Sequence, residues 1–170
     1  TSKDRFLLNF FRAPEELLFP LFTGATVVLS PRDAERDTAL LLKTIHENEI
    51  TVVGLTPTLL NQFLNEPQLE DCESLRHLFC AGEGLPVVVQ QRFFERFPAA
   101  QLYNFYGLAE APFTSIWRCV AGDGRPVVPV GQPVDAIVKI LDEDLEAVTG
   151  QTIGEIYIGG PGLARGYLNL

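Results

Sequence analysis

The segment ITVVGLTPTLLNQFLNEP, residues 50–67, decides the fold class. Its first six residues are uncharged and rich in β-branched side chains, which is typical of a buried strand. Thr56 can then cap a helix, and Pro57 fits its first turn, where a missing N–H costs no hydrogen bond. We expect this helix to end at Pro67. A buried strand followed at once by a helix predicts one unit of a parallel α/β sheet.

The same alternation continues on both sides of this segment. Each predicted helix has apolar residues along one face. In the helix predicted at 85–98, these residues include Val89, Phe93 and Phe97. Strands are predicted at 25–30, 75–82 and 100–107, and helices at 35–49 and 85–98. Strands joined by helices pair in parallel with right-handed crossovers. The predicted fold class is therefore α/β, a layered, mostly parallel sheet with flanking helices.

The pattern changes after residue 112. FTSIWRCV, AIVKILDE and GEIYIGG are strand-like, and the residues between them are rich in turn formers. No helix of normal length fits there. We therefore predict two parts, an α/β subdomain over 1–112 and a smaller β-rich portion of the same core over 113–170.

Composition narrows the function classes. The chain has 170 residues and a net charge of −9, without a basic block, so we expect no nucleic-acid partner. Its apolar runs fall far short of the roughly 20 residues of a membrane span, so we expect no membrane insertion. Cys72, Cys80 and Cys119 lack CxxC spacing and are expected to be reduced thiols in the cytoplasm, outside any metal site.

Each predicted strand between residues 50 and 107 has glycine at its carboxyl-terminal exit. Ligands bind beyond the carboxyl ends of strands in open parallel sheets, and glycine lets them approach the backbone closely. The three exits contain Gly54, the AGEG turn at 81–84, and Tyr106–Gly107. We expect these exits to open into one common crevice.

The stretch LYNFYGLAEA, residues 102–111, combines groups that suit a nucleotide. Tyr106 can stack on a planar base, and Asn104 can hydrogen-bond an amine or ring nitrogen. Glu110 can hold a Mg²⁺ ion that bridges phosphate oxygens. The spacing alone favours a capped turn instead, in which Gly107 ends the strand and Glu110 sits near a helix start.

Two motifs carry a resemblance to a known family. LYNFYGLAEA resembles the N-x-Y-G-x-T-E motif of adenylate-forming enzymes. GEIYIGGPGLARGYLNL, residues 154–170, is similar to GEL-x-I-x-G-x-G-L-A-R-G-Y, and its GLARGYL is typical of nonribosomal peptide synthetase adenylation domains. LFTGATVVL, EITVVGLTPTLL and LRHLFCAGEGL come before these two motifs and VGQPV lies between them, all in family order, so the resemblance covers essentially all 170 residues.

The resemblance implies that ATP activates a carboxylic acid to an acyl-adenylate, which then passes to the phosphopantetheine thiol of a carrier protein. Neighbouring synthetase domains are further implied partners. Tyr106 would stack on adenine, Glu110 would bind Mg²⁺, and these two are the implied catalytic residues. Positioning and charge neutralisation would carry the reaction. The implied nucleotide-binding residues are Gly82, Glu83, Gly84, Asn104, Phe105, Tyr106, Gly107 and Ala109.

Two departures from the family pattern bear on the substrate. Ala109 stands where the family has a threonine that touches the α-phosphate. Phe11 stands where an aspartate anchors the α-ammonium of amino acids, and a phenyl ring cannot pair with a desolvated ammonium. We expect an acid without an α-amine, such as an α-keto, hydroxy, aryl or fatty acid. The implied pocket positions are Phe11, Arg12, Glu15, Gly54, Phe79, Ala81, Phe105, Phe113 and Thr114.

Arg12 and Glu15 could instead pair with each other at the pocket rim. The family's phosphate loop, ribose-binding aspartate and lysine-bearing C-terminal lobe have no counterpart in the 170 residues. We therefore expect a central piece of an adenylation domain, inefficient by itself. The alternative is a catalytically inactive adenylation-like domain that serves as a scaffold in a megasynthase, which Phe11 and Ala109 favour.

Overall fold

The computed structural model of the chain describes residues 3–8, 13–150 and 152–168. A seven-stranded sheet and a separate two-stranded ribbon are connected by helices and turns. The elements are β1 (Arg5–Leu8), α1 (Ala13–Thr23), β2 (Thr26–Leu29), α2 (Thr38–Glu47), β3 (Val52–Leu55), α3 (Pro57–Phe63), a 3-10 turn (Leu69–Cys72), β4 (His77–Cys80), α4 (Val87–Arg96), β5 (Gln101–Leu108), β6 (Ala111–Arg118), β7 (Gln132–Pro133), β8 (Ile137–Leu141) and β9 (Glu155–Gly159).

The strand order of the large sheet is β2-β1-β3-β4-β5-β6-β7. β1 pairs in parallel with β2 and β3, and the β3–β4 and β4–β5 pairs are also parallel. β7 runs antiparallel to β6, and β8 and β9 form the antiparallel ribbon. The mainly parallel α/β class predicted from the sequence is confirmed.

The sequence predicted correctly where α3 begins, but not where it ends. The Thr56 side-chain oxygen accepts a hydrogen bond from the Leu59 N–H at 3.1 Å, as predicted for an N-cap. The helix ends at Phe63, short of Pro67. The Arg92 guanidinium of α4 bonds the Leu64 carbonyl at 3.3 Å and thereby satisfies a carbonyl at the helix end. A contact from a distant element therefore stabilises this end.

Among the described strands and α-helices, three have no counterpart in the sequence-based assignment. β1 is only four residues long and lies between β2 and β3, and β7 has two residues. α1 contains Pro20 in its interior, a residue that normally breaks a helix because it lacks the N–H and clashes with the preceding turn. Weak local signals explain why these elements were missed.

In β4 and β5, the side chains on one face are more deeply buried than those on the other. Leu78 and Leu102 are fully buried, whereas Phe79 and Tyr103, which follow them in β4 and β5, are only partly covered. Alternate residues of a strand point to opposite faces, so the two faces differ in how well they are covered. The connecting helices add further fully buried side chains: Leu41, Ile45, Leu60, Phe63 and Phe93.

The chain divides into two compact units. The first comprises Thr1–Asn104 with Arg118–Pro129, and the second comprises Phe105–Trp117 with Val130–Leu170. From residue 113 onward, the described residues contain strands and turns but no helix, as predicted. The predicted boundary after residue 112 stays a prediction. Among the described residues, no helix is both long and apolar enough to cross a bilayer.

Candidate functional site

The carboxyl ends of β3, β4 and the first half of β5 lie side by side in the first unit. Leu55, Cys80 and Asn104 are register partners across the three strands. The residues that follow β3 and β4 therefore leave the sheet along the same edge, next to Asn104. From β1 the chain adds β2 on one side of the sheet, and from β3 it adds β4 on the other side, so the direction of strand addition reverses between β1 and β3. Open α/β sheets bind ligands at such a reversal.

The AGEG turn follows β4 at this edge. Gly82 has φ +89°, a conformation that glycine adopts readily, and residues 82–84 are exposed. The Glu83 carboxylate accepts hydrogen bonds from the Thr58 N–H at 3.2 Å and from the Thr58 hydroxyl at 2.5 Å. Glu83 thus connects the turn to the first turn of α3. Sequence reasoning did not identify Thr58, because the two residues are 25 positions apart.

Asn104 is buried and only half satisfied. Its side-chain N–H donates to the Pro129 carbonyl at 2.9 Å, and its side-chain oxygen has no hydrogen-bond partner. A buried polar atom without a partner costs free energy and calls for an explanation. The orphaned atom is an acceptor, which is the type of group that an amine requires.

An aromatic row crosses the less covered face of the sheet. Gly54 pairs with Phe79, and Phe79 pairs with Tyr103. The two rings lie 5.1 Å apart between centroids with an interplanar angle of 31°. Gly54 contributes no side chain to this row. Ala81 is buried just after β4. Tyr103 was missed by sequence reasoning, although it precedes Asn104 in the same strand.

In the second unit, residues 109 and 110 form the turn between β5 and β6. The possibility that Glu110 sits near a helix start is therefore wrong: a two-residue connection reverses the strand direction, as in a hairpin. A Cβ on Gly107 would lie 2.8 Å from the backbone nitrogen of Phe113. Glycine is thus required here by the neighbouring backbone, whatever its relation to a ligand. Ala109 is exposed.

Glu110 is held by the loop that follows β9. Its carboxylate accepts a hydrogen bond from the Tyr167 hydroxyl, and its carbonyl accepts one from the Ala164 N–H at 2.7 Å. The Tyr167 hydrogen bond, followed by one from the backbone N–H of Glu110 itself, lowers the pKa of the Glu110 carboxyl below its ordinary value. The carboxylate is therefore ionised at neutral pH. Tyr167 belongs to the GLARGYL motif, but the sequence did not indicate its partner.

The other predicted pocket residues of the second unit are apolar or internally satisfied. Phe105 and Phe113 pack edge to face, with ring centroids 5.5 Å apart. The buried Thr114 donates its hydroxyl to the Ala111 carbonyl at 2.7 Å. Phe113 and Thr114 also line a small cavity of about 160 Å³ within this unit. Tyr106 is half-buried in β5.

Several site predictions are not tested by the structure. Phe11, Arg12 and the side chain of Glu15 lie outside the described residues. Gly54 and Gly82 belong to the first unit and Tyr106 to the second, so a crevice common to all three stays a prediction.

The cysteines lie apart from this chemistry. Cys72, Cys80 and Cys119 are free thiols, and all three are buried. Burial raises the pKa of Cys72 and that of Cys119 to about 12, and it raises the pKa of Cys80 as well. Within the described part of the chain, no group of three or more His, Cys, Asp or Glu residues is arranged to hold a metal ion by itself.

These features define a class: an α/β core whose parallel strands end at a glycine-rich edge, with an ionised carboxylate on a hairpin turn. Comparison with known proteins makes the class specific. The family model of the AMP-binding enzymes matches residues 10–168. The chain therefore belongs to the AMP-binding enzyme family.

The curated relatives that it resembles include a tripeptide synthetase and a tyrocidine synthase. The chain is 39% identical over 154 residues to phosphinothricin tripeptide synthetase PhsB of Streptomyces viridochromogenes, covering 89% of the chain and 13% of that protein. It is 34% identical over 154 residues to tyrocidine synthase 3 of Brevibacillus parabrevis, covering 89% of the chain and 2% of that protein. It thus spans a small part of the length of the curated relatives it matches.

A solved structure shows the same fold. The holo form of PA1221, described as a nonribosomal peptide synthetase protein with adenylation and PCP domains bound to a vinylsulfonamide inhibitor, superimposes with a TM-score of 0.87 at 29% identity. The alignment covers 99% of the chain and 30% of that structure. Nearly the entire chain therefore has the same fold as part of that structure.

Proposed function

We propose that this chain is the substrate-selecting core of a nonribosomal peptide synthetase adenylation domain. The supporting observation is the family match over residues 10–168 together with relatives that are themselves peptide synthetases. The proposed reaction couples a carboxylic acid to ATP, and the product is handed to a carrier protein.

The chemistry has two steps. A substrate carboxylate oxygen attacks the α-phosphorus of ATP, the bond from that phosphorus to the bridging oxygen breaks, and pyrophosphate leaves. The phosphopantetheine thiol of the carrier then attacks the acyl carbonyl, AMP leaves, and the thiol proton passes to solvent. Neither step needs a nucleophile from the protein, so the protein contributes positioning and charge stabilisation.

In the first unit, the nucleotide side is assigned to Asn104 and to the turn at 82–84. The orphaned side-chain oxygen of Asn104 suits the exocyclic amine of adenine, which needs an acceptor. The exposed backbone of the turn suits the ligand's polar groups, because glycine permits close approach. Because the Glu83 carboxylate already accepts a hydrogen bond from the Thr58 hydroxyl, the role assigned to Glu83 is to hold the turn in place.

In the second unit, Tyr106 is assigned to stacking on adenine, and Glu110 is assigned to Mg²⁺. An ionised carboxylate is a suitable donor for Mg²⁺, which binds proteins through one or two carboxylates and takes its other ligands from substrate phosphates and water. When bound, Mg²⁺ would neutralise charge on the phosphate oxygens. The neighbouring backbone of Phe105 and Gly107 would meet the edge of the base.

We propose an acid that lacks an α-amine. The structure describes six of the predicted pocket positions completely, and none of these six residues can carry a charge: Gly54, Phe79, Ala81, Phe105, Phe113 and Thr114. The Thr114 hydroxyl is occupied by the Ala111 carbonyl. With Phe11 at the position of the family's aspartate, an ammonium group would have no anionic partner among these residues, a desolvation cost of several kcal/mol.

The test is pyrophosphate exchange into ATP, measured with the full natural protein against a panel of acids. We expect exchange with α-keto, hydroxy, aryl or fatty acids and little with their α-amino counterparts. Phe11→Asp should shift the preference toward the amino acid of matching side chain. Strong exchange with ordinary amino acids in the unaltered protein would refute the substrate class while leaving adenylation intact.

A second candidate is an inactive scaffold domain, which Ala109 favours because it removes a hydroxyl from the exposed turn beside Glu110. Nucleotide binding separates the two candidates. A scaffold would bind neither ATP nor an acyl-adenylate analogue, as measured by calorimetry with the full natural protein. Binding that is lost in Glu110→Gln, and strongly weakened in Tyr106→Ala, would support the enzyme.

A further inference from the structure

The loop after β9, residues 160–168, contacts Glu110 at two places. The Ala164 N–H donates to the Glu110 carbonyl at 2.7 Å, and the Tyr167 hydroxyl donates to carboxylate oxygen Oε1. A hydrogen bond from the Leu163 N–H to the Gly160 carbonyl at 3.2 Å forms a turn within the loop. The main chain and the side chain of Glu110 are thus both held by this loop, in which Tyr167 lies 57 positions from Glu110.

We propose that Tyr167 is a positioning residue for the divalent cation at Glu110, holding Oε1 by a hydrogen bond and leaving Oε2 as the ligand of the ion. This inference rests on the proposed function, because it takes the cation site at Glu110 as given.

The physical reason is pre-organisation. A glutamate side chain has several rotatable bonds, and binding an ion removes much of their freedom. A carboxylate that already accepts one fixed hydrogen bond, on a turn whose carbonyl is also fixed, loses less freedom when the ion binds. Tyr167 suits this purpose because its hydroxyl is a neutral donor. A lysine or arginine in its place would add a positive charge and repel the cation.

The chain supplies a matched control. Tyr157 donates its hydroxyl to the Glu155 carboxylate at 3.1 Å, and both tyrosines are exposed, by 57% for Tyr167 and 39% for Tyr157. Tyr167→Phe and Tyr157→Phe therefore remove the same type of hydrogen bond from the same unit. Only the first is next to the proposed cation ligand.

The experiment measures Mn²⁺ binding by electron paramagnetic resonance, in the full natural protein with a non-hydrolysable ATP analogue. We expect about fivefold weaker Mn²⁺ affinity in Tyr167→Phe, because the net contribution of one typical hydrogen bond is lost at this exposed carboxylate. Tyr157→Phe should keep the unaltered affinity. In pyrophosphate exchange, Tyr167→Phe should need more Mg²⁺ but reach the original kcat when Mg²⁺ is saturating. Its melting temperature should stay close to that of Tyr157→Phe.

Glu110→Gln separates this inference from the proposed function. If Glu110→Gln and Tyr167→Phe both bind Mn²⁺ as well as the unaltered protein, Glu110 is not the ligand and the proposed function of that residue fails. If only Glu110→Gln is impaired, the cation site stands and the role of Tyr167 is refuted. Tighter Mn²⁺ binding in Tyr167→Phe would also refute it, since the hydroxyl would then compete with the ion.

Discussion

Gly131 is the position where the structure predicts the largest effect of adding one methyl group. A Cβ there would lie 1.8 Å from the Ile116 carbonyl oxygen and 2.5 Å from the Trp117 nitrogen. Real Cβ contacts stay above 3.0 Å, so the backbones must separate by most of the 1.2 Å between 1.8 and 3.0 Å. Gly131 also has φ +90°, which is unfavourable for other residues.

The magnitude for Gly131→Ala follows from these terms. Left-handed strain costs about 1 kcal/mol. Moving the segment around Gly131 away from β6 would weaken or break the hydrogen bonds next to the clash, such as the one from the Ser115 hydroxyl to the Val130 carbonyl at 2.8 Å. Each of these contributes about 1 kcal/mol. We expect a total loss of about 3 to 5 kcal/mol of unfolding free energy, reported by the melting temperature and by faster amide exchange in β6 and β7.

Gly150→Ala is the control for this prediction. Gly150 also has a positive φ, +70°, but a Cβ there would meet no atom within 4 Å. Its alanine variant should therefore show the backbone strain alone, about 1 kcal/mol. At about 2 to 4 °C of melting temperature per kcal/mol, the two variants should differ by at least about 4 °C. Equal melting temperatures would show that the close approach of Gly131 to β6 does not exist.

Three further predictions concern the caps, the turn and the thiols. Thr56→Ala should lower the unfolding free energy by about 1 kcal/mol in urea titrations, because the N-cap of α3 is lost, and an unchanged midpoint would contradict that cap. Ala109→Thr should raise pyrophosphate exchange about tenfold if the added hydroxyl contacts the α-phosphate; a fall in exchange would mean that the turn has no room for it. Because the pKa of Cys72 and of Cys119 rises from 9.0 to about 12 on folding, their contribution to stability is complete below pH 9 and is lost as the pH rises toward 12. The urea midpoint should therefore fall between about pH 8 and about pH 10.5, and a flat profile would show that these thiols are not buried in the folded protein.

The alternation of strands and helices was predictable because the relevant signals are local. Val89 and Phe93 share a buried face of α4, and the periodicity that places them there is visible in a dozen residues. β1 escaped prediction because four residues, RFLL, carry too little periodicity to be distinguished from a loop. α1 escaped because Pro20 contradicts the helix that the fold imposes.

The candidate site was predictable only as a set of residue types. The motif around Glu110 indicated a carboxylate near a nucleotide, and the structure adds that it lies on a hairpin turn and is hydrogen-bonded by Tyr167. Likewise, Glu83 was predicted to line a ligand, but its partner Thr58 comes from another element. No sequence pattern linked either pair, since each depends on how distant segments meet.

By itself, the sequence determined the alternating strands and helices from β2 to β5, the N-cap of α3, the parallel α/β class and the two family motifs. All of these depend on residues a few positions apart, whose steric and hydrogen-bonding preferences act before the chain is folded. Only the tertiary structure decided that β1 lies between β2 and β3, that Asn104 keeps an orphaned acceptor, and that the loop after β9 holds Glu110. These features join residues far apart in the chain, and their contacts exist only after burial of the core has fixed the path of the backbone.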